Sequence, residues 1–212
     1  MDPKKKFILF TPIGERYIGR ETTDTRVLEA LGEFDGNVLV RLPPTDVAHF
    51  EGFKKNRAVV SFEETGMRAW KGEIKYGSSK VNEISKEDDE ILRASLHYAD
   101  VVVSGPSTIC IDASLLDKPV ILIDFDGDKN LQYYKSVRRY YNYNHFLPIR
   151  KSGGARFAES PAALISHVES YLAHPEQDAE GRARIREWET YQNDGKSTER
   201  LTVVLEKLLY AS

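Results

Sequence analysis

The chain has 212 residues, which is enough for one domain whose hydrophobic core needs no disulfide bonds. Its 30 basic and 33 acidic side chains give a net charge of -3, which disfavours a general nucleic-acid binder because phosphate neutralisation needs a basic excess or a basic face. The single cysteine, Cys110, excludes an intramolecular disulfide and a cysteine-based zinc site, and no apolar run is long enough to span a bilayer. We therefore expect one soluble, cytoplasmic domain over residues 1–212.

Short apolar runs rich in β-branched residues occur along the N-terminal part of the chain. They do not alternate apolar with polar residues, and such continuous runs are typical of parallel strands whose two faces are both covered by helices. The runs are Phe7–Phe10, Val38–Val40, Ala58–Phe62, Asp100–Ser104 and Pro119–Phe125.

Helical patterns lie between these runs and after them. The alternation of strand and helix predicts an α/β fold, a Rossmann-like doubly wound parallel sheet with helices on both faces. The first three helices are predicted over Thr25–Phe34, Asp88–Tyr98 and Thr108–Leu116. Three more are predicted over Ala162–Leu172, Glu176–Glu189 and Ser197–Leu209, so the last two form a C-terminal pair within 176–209.

Residues 128–145 are polar and rich in tyrosine, and they predict an exposed helix followed by an irregular segment. His145–Ile149 is the candidate for a sixth, short strand. The tyrosines allow two interpretations, an aromatic platform for an acceptor or partner, or a surface that another lobe covers. We favour the interface, where tyrosine is enriched. The tyrosines are Tyr133, Tyr134, Tyr140, Tyr141 and Tyr143.

The segment from Tyr98 to Gly127 predicts a strand, a tight turn, a helix and a second strand. The turn places Ser107 and Thr108 at the start of the helix, where unpaired N–H groups and hydroxyls can bind phosphate. Asp112 follows one helical turn later and could accept hydrogen bonds from a ribose. A plainer interpretation is equally open, because Ser and Thr are common helix caps and an Asp on a helix is usually solvated.

Several well-known catalytic patterns are missing. The chain has no G-x-G-x-x-G, Walker, H-E-x-x-H or G-x-S-x-G motif, which disfavours a typical NAD-binding, P-loop, metalloprotease or serine hydrolase site. The five histidines are scattered, with no two at metal-ligand spacing. No acidic cluster lies in an obvious catalytic loop, so we expect a site that uses neither a metal nor another cofactor.

The segment DVVVSGPSTICIDASLLDKPVI resembles the donor-binding half of GT-B fold glycosyltransferases, in particular the CDP-glycerol glycerophosphotransferases and related capsule and teichoic-acid transferases. Two other segments are similar to elements of that half. FILFTPIGERY resembles its first strand and loop, and VLVRLPP resembles its R-x-H-P element, with Pro43 where the family has histidine. The tail Asp194–Leu209 resembles the terminal helix of the family, so the likeness extends over nearly the whole chain.

This resemblance implies a donor-binding half of a glycosyltransferase or polyol-phosphate transferase in polysaccharide biosynthesis. The ligand would be a nucleotide-diphosphate-linked sugar or polyol. An N-terminal acceptor lobe, missing here or on another chain, would supply the general base, so no catalytic residue is identified and this half would be inactive alone. Through the full enzyme, peripheral membrane association is also implied. A nucleotide-sugar epimerase of the same fold and a non-catalytic interaction module remain the alternatives.

The resemblance also implies roles for single residues. The diphosphate would bind at Ser107 and Thr108, Arg16 would offset its charge, and Asp112 would hold the ribose. The base would rest on the loop Glu63–Gly66, and Asp126 with Gly127 would line the sugar site. The complete set of predicted donor-binding residues is Thr11, Gly14, Arg16, Arg41, Glu64, Ser104, Gly105, Ser107, Thr108, Asp112 and Asp126.

Overall fold

The structure, a computed structural model, describes residues 1–18, 21–43, 46, 48, 50, 52–53, 57–63 and 85–210. Within these residues one sheet contains six strands, all parallel, in the order β3-β2-β1-β4-β5-β6. The strands are β1 (Phe7–Thr11), β2 (Asn37–Arg41), β3 (Val59–Glu63), β4 (Val101–Ser104), β5 (Val120–Ile123) and β6 (Ala155–Ala158). The strand order reverses between β1 and β4, which makes their carboxyl ends the topological switch point of the sheet.

Helices surround this sheet, and their positions confirm most of the predicted helical segments. They are α1 (Glu15–Ile18), α2 (Thr23–Gly32), α3 (Lys86–Tyr98), α4 (Ile109–Leu115), α5 (Leu147–Ser152), α6 (Pro161–Ala173), α7 (Ala179–Thr190) and α8 (Ser197–Tyr210). Two short 3-10 helices, Tyr133–Lys135 and Val137–Asn142, lie between β5 and α5. No helix in the described part of the chain is long and apolar enough to cross a membrane.

The strands are apolar on both faces because both faces are packed. In β1, Ile8 and Phe10 belong to one hydrophobic cluster, and Leu9, which points to the other side, belongs to a second. Val101 and Val103 of β4 join the first cluster and Val102 joins the second. The prediction of a Rossmann-like doubly wound sheet with helices on both faces is therefore confirmed.

The predicted strand at His145–Ile149 is wrong, because this segment leads into helix α5. Pro148 stands in the first turn of α5, where a missing N–H costs nothing, and Gly153 ends the helix in the left-handed conformation with φ 69°. The buried residues Phe146 and Ile149 are three positions apart and face the core as helical neighbours. The sixth strand is β6, which follows Gly154.

The tyrosine-rich segment is not an exposed helix. Its second 3-10 helix buries Val137, Tyr140 and Tyr141 in this chain, and the Tyr141 hydroxyl donates a hydrogen bond to the Ile123 carbonyl, 2.7 Å away. Burial raises the pKa of Tyr141 well above its ordinary value. Tyr133 and Tyr134 are exposed, so only part of the cluster is free to form an interface.

Candidate functional site

A cleft of about 440 Å³ lies at the carboxyl edge of the sheet, at the switch point between β1 and β4. A volume of this order is typical of small-molecule sites, and open α/β sheets bind their ligands at this position. Residues after β1, β2 and β4 and from the tyrosine-rich segment line it. They are Pro12, Ile13, Arg16, Tyr17, Pro43, Asp46, Gly105, Pro106, Ser107, Thr108, Tyr140, Tyr143, His145 and Phe146.

Asp24, a residue of α2 that is only 2% exposed, holds the loop after β1 in place. Its carboxylate accepts hydrogen bonds from the N–H groups of Ile13, at 2.8 Å, and Gly14, at 3.0 Å. Gly14 has φ 86°, a conformation that suits glycine, and a side chain there would place its Cβ 2.5 Å from Asp46 Oδ2. Asp24 and Gly14 thus shape the turn that presents Arg16 to the cleft.

Arg16 and Asp46 supply opposite charges at this side of the cleft. The backbone N–H of Arg16 donates to the Asp46 carboxylate, at 3.0 Å to Oδ2 and 3.3 Å to Oδ1. Asp46 therefore occupies a backbone donor of the loop after β1.

The end of β4 is joined to the end of β1 by a buried hydrogen bond. Thr11 Oγ1 donates to Ser104 Oγ at 2.7 Å, between two residues that are partners in the sheet register. A Cβ at Gly105 would collide with Cγ1 of Ile13, so the two loops approach closely only because Gly105 has no side chain. Thr11 and Ser104 are buried and brace the site without lining the cleft.

Ser107 and Thr108 are exposed and line the cleft directly before α4. Thr108 makes no side-chain capping hydrogen bond, and Ser107 Oγ accepts only a long one, 3.4 Å, from the N–H of Ile109. Helix α4 has seven residues, so the hydroxyls and nearby N–H groups, more than a helix dipole, are the groups here that can donate to an anion.

Part of the cleft lining is aromatic. We use "aromatic wall" for its rings, which are those of Tyr17, Tyr140, Tyr143, His145 and Phe146. None of them was among the residues predicted to bind the donor. Tyr140 and Tyr143 are three positions apart around the end of a 3-10 helix, where residues i and i+3 lie on the same side. That spacing is the signal in the sequence that could have indicated them.

Arg41 is predicted to bind the donor, but the structure places it away from the cleft. It is 7% exposed and forms an ion pair with Glu63, its register partner on β3. Glu64 lies outside the described residues. The predicted loop Glu63–Gly66 is described only at Glu63.

Asp112 and Asp126 also lie outside the cleft lining. Asp112 is exposed on α4, one turn beyond Thr108. Asp126 is 4% exposed, and its Oδ1 accepts a hydrogen bond from the N–H of Val137 at 2.9 Å. Asp126 therefore fixes the start of the 3-10 helix that carries Tyr140. Nearby, burial raises the pKa of Asp124, against the opposing charge of Arg138.

Comparison with known proteins gives one family match. Residues 33–207 match the model of the family described as CDP-glycerol:poly(glycerophosphate) glycerophosphotransferase. No curated protein matches the chain by sequence.

Solved structures share the fold at low sequence identity. The wall teichoic acid polymerase TagF is similar with a TM-score of 0.57 and 12% identity over 98% of this chain and 44% of its own. The glycosyltransferase VinC, solved in complex with dTDP, gives 0.52 and 14% over 98% and 43%. A protein from Listeria monocytogenes assigned as a UDP-N-acetylglucosamine 2-epimerase gives 0.53 and 12% over 99% and 46%. The chain thus spans less than half the length of each of these proteins.

Proposed function

The chain is a GT-B glycosyltransferase-like domain that belongs to the CDP-glycerol:poly(glycerophosphate) glycerophosphotransferase family, and on that premise we propose that it is the donor-binding lobe of a transferase. The proposed ligand is a nucleoside diphosphate joined to a sugar or a polyol. The observation that carries this proposal is the cleft at the switch point, which Ser107, Thr108 and Arg16 line together.

The diphosphate is proposed to lie between the loops after β1 and β4. Ser107 and Thr108 would donate hydroxyl hydrogen bonds to its oxygens, and Gly105 would allow the backbone to approach closely. Arg16 would stabilise the negative charge that develops on the leaving diphosphate when the transferred group departs. The chemistry proposed for this chain is therefore binding, orientation and stabilisation of the leaving group. VinC, which shares the fold, was solved with a nucleoside diphosphate, and this is consistent with the ligand class.

We further propose that turnover needs a second lobe from chain outside these 212 residues, in the same polypeptide or another. The support is the length of the similar solved structures, of which this chain covers 43–46%. That lobe would bind the acceptor and supply the general base.

Isothermal titration calorimetry with CDP-glycerol, UDP-N-acetylglucosamine, GDP-mannose and dTDP tests the binding proposal. We expect saturable binding of at least one of them at millimolar concentration or below. Ser107→Ala and Thr108→Ala should each weaken it about three- to tenfold, because each removes one hydrogen bond to the diphosphate. Thr202→Ala on α8 is the matched control and should leave the affinity unchanged. Absence of binding by all four ligands would remove the proposal.

A comparison of nucleoside diphosphates with inorganic pyrophosphate tests the predicted ribose role of Asp112. Asp112 lies beyond the cleft lining, so a ribose bound to it requires the nucleotide to run past Thr108 along α4. Asp112→Ala should then weaken binding of nucleoside diphosphates and leave binding of inorganic pyrophosphate unchanged. An unchanged affinity of Asp112→Ala for nucleoside diphosphates would remove Asp112 from this role.

An epimerase of the same fold is the second candidate, since a Listeria protein with that assignment shares the architecture. Membership of a transferase family favours transfer over epimerisation. The interaction-module alternative predicts no nucleotide binding, so the same calorimetry separates it from both enzymes.

A further inference from the structure

The aromatic wall is a continuous row of ring contacts along one side of the cleft. The centroids of Tyr17 and Tyr140 are 5.2 Å apart, and those of Tyr140 and Tyr143 are 5.4 Å apart, both edge to face. The row continues from Tyr143 to His145 at 5.9 Å and from His145 to Phe146 at 5.2 Å. Rings at these distances support one another's orientation.

Contacts with neighbouring residues hold the rings of the aromatic wall in place. Tyr140 is 9% exposed, and the Arg139 guanidinium lies over its ring, 4.4 Å from the centroid. Arg139 also donates to the Tyr140 hydroxyl, and Phe146, which is 2% exposed, anchors the far end in the core. The N–H of Phe146 donates to the Tyr143 carbonyl at 2.8 Å. The rings that face the cleft are therefore held before any ligand arrives, which lowers the entropy cost of binding.

Three members of the wall keep a large open surface inside a concave site. Tyr17 is 40% exposed, Tyr143 is 45% exposed, and His145 is exposed as well. Aromatic surface left open in this way gains free energy when a ligand covers it. The volume of about 440 Å³ suits a small molecule, and Arg16, Ser107 and Thr108, which line the same cleft, suit an anionic group of that molecule.

We propose that the aromatic wall binds a ring of the ligand, the nucleobase or the pyranose sugar of a nucleotide-linked donor, by stacking. A planar base presents a π-face, and a pyranose presents a face of C–H groups, so either can cover Tyr143 and Tyr17. An open-chain glycerol has no such face. The inference rests on the proposed donor-binding function and deepens it, because the cleft then selects ligands that carry a ring beside the diphosphate.

Calorimetry on the wild type and on Tyr143→Ala, Tyr143→Phe and Tyr17→Ala tests this inference. The ligands are inorganic pyrophosphate, UDP, UDP-N-acetylglucosamine and CDP-glycerol. Tyr143→Ala and Tyr17→Ala should each weaken a ring-bearing ligand about tenfold, while Tyr143→Phe should keep its affinity within about twofold. Binding of pyrophosphate should not change. Tyr98→Ala, at an exposed tyrosine outside the cleft, is the matched control, and circular dichroism checks that every variant is folded.

The ligand whose affinity falls in the variants shows whether the wall binds the nucleobase or the sugar. A loss already seen with UDP identifies the nucleobase, and a loss seen only with UDP-N-acetylglucosamine identifies the sugar. The inference is overturned if Tyr143→Ala and Tyr17→Ala leave all affinities unchanged, if they weaken pyrophosphate equally, or if Tyr143→Phe is as weak as Tyr143→Ala. If the wild type binds none of the ring-bearing ligands, with GDP-mannose and dTDP also tested, this inference and the proposed function both fall, whereas wild-type binding with unaffected variants removes only this inference.

Discussion

Asp24, Gly14 and Gly105 shape the cleft through the backbone and not through contact with a ligand. Asp24 holds two consecutive N–H groups of the loop after β1, and the two glycines allow close approach at positions where a Cβ would meet Asp46 or Ile13. The turn residues next to β4 could be predicted from the sequence, because small hydroxylated residues between a strand and a helix have a local signature. The contribution of Asp24 could not, because its hydrogen bonds depend on how α2 packs against the end of β1.

Asp46 leads to a prediction at the residue scale. Its carboxylate lines the cleft and accepts the Arg16 N–H, so it repels an incoming diphosphate and competes for the same donor. Asp46→Asn should tighten pyrophosphate and nucleoside diphosphate binding about three- to tenfold in calorimetry. Glu206→Gln, which removes one negative charge from α8, should change the affinity much less. Weaker binding by Asp46→Asn would mean that this carboxylate supports the site and does not oppose the ligand.

At the scale of elements, the strands that pack on both faces could be predicted, and the irregular elements could not. β1, β4 and β5 are continuous apolar runs, and such runs are typical of parallel strands that are covered on both faces. β6 has only four residues and includes Arg156, which is bound by Asp178 at 2.7 Å and by Gln177 at 2.7 Å. Those partners come from the turn before α7, so the sequence around β6 gives no sign of them.

The buried pair between β2 and β3 gives a prediction for stability. Arg41→Met should lower the free energy of unfolding by about 3–5 kcal/mol, because it leaves the Glu63 carboxylate buried beside an apolar side chain. The double variant Arg41→Met/Glu63→Leu should recover most of this loss, since an apolar pair of similar volume replaces the ion pair. Urea denaturation measures both. A role of Arg41 in donor binding would instead appear as lost ligand affinity in a variant of normal stability.

The turn between α4 and β5 gives a prediction for pH dependence. Desolvation opposes the ionised form of Asp117, but hydrogen bonds from Arg182 and Arg186 prevail and hold its pKa below the ordinary value. A carboxyl with a lowered pKa in the folded state contributes stability above its unfolded pKa of about 3.9, and this stability is lost as the pH falls through the folded pKa.

Asp117→Asn should therefore cost about 1 kcal/mol at pH 7, where Arg182, 1% exposed, loses its ionic partner. Asn also tolerates the positive φ of 54° at this position, so the backbone is not the cause. The difference in the free energy of unfolding between this variant and the wild type should shrink below pH 4. Urea denaturation at pH 7 and below pH 4 measures this difference. Glu206→Gln, at an exposed carboxyl of α8, is the control, and a difference between Asp117→Asn and the wild type that stays constant with pH would contradict this explanation.

At the scale of the whole molecule, α8 stands apart from the sheet. None of its fourteen residues is buried against the described part of the chain, although Leu201, Val204, Leu205 and Leu208 form an apolar stripe. The sequence predicted this helix correctly, because amphipathic spacing is a local property. Whether anything covers the stripe could not be predicted in the same way, because amphipathic spacing does not identify a covering surface.

Two substitutions in this stripe test whether α8 packs on the rest of the domain. Leu205→Glu/Leu208→Glu should change the free energy of unfolding by less than about 0.5 kcal/mol, because both side chains are already exposed. The same variant should reduce any self-association seen by sedimentation velocity. A loss of several kcal/mol would show that α8 packs on the domain in solution.

We propose that the cleft between the loops after β1 and β4 binds a nucleotide-linked donor. Two-dimensional NMR of the isotopically labelled chain during titration with UDP-N-acetylglucosamine, CDP-glycerol and pyrophosphate tests it most directly, because backbone amide shifts report where a ligand binds. We expect saturable shifts concentrated in residues 12–17, 105–108 and 140–146, with the last group moving only for a ligand that carries a ring. Shifts confined to other parts of the chain, or no shifts at millimolar concentration, would contradict it.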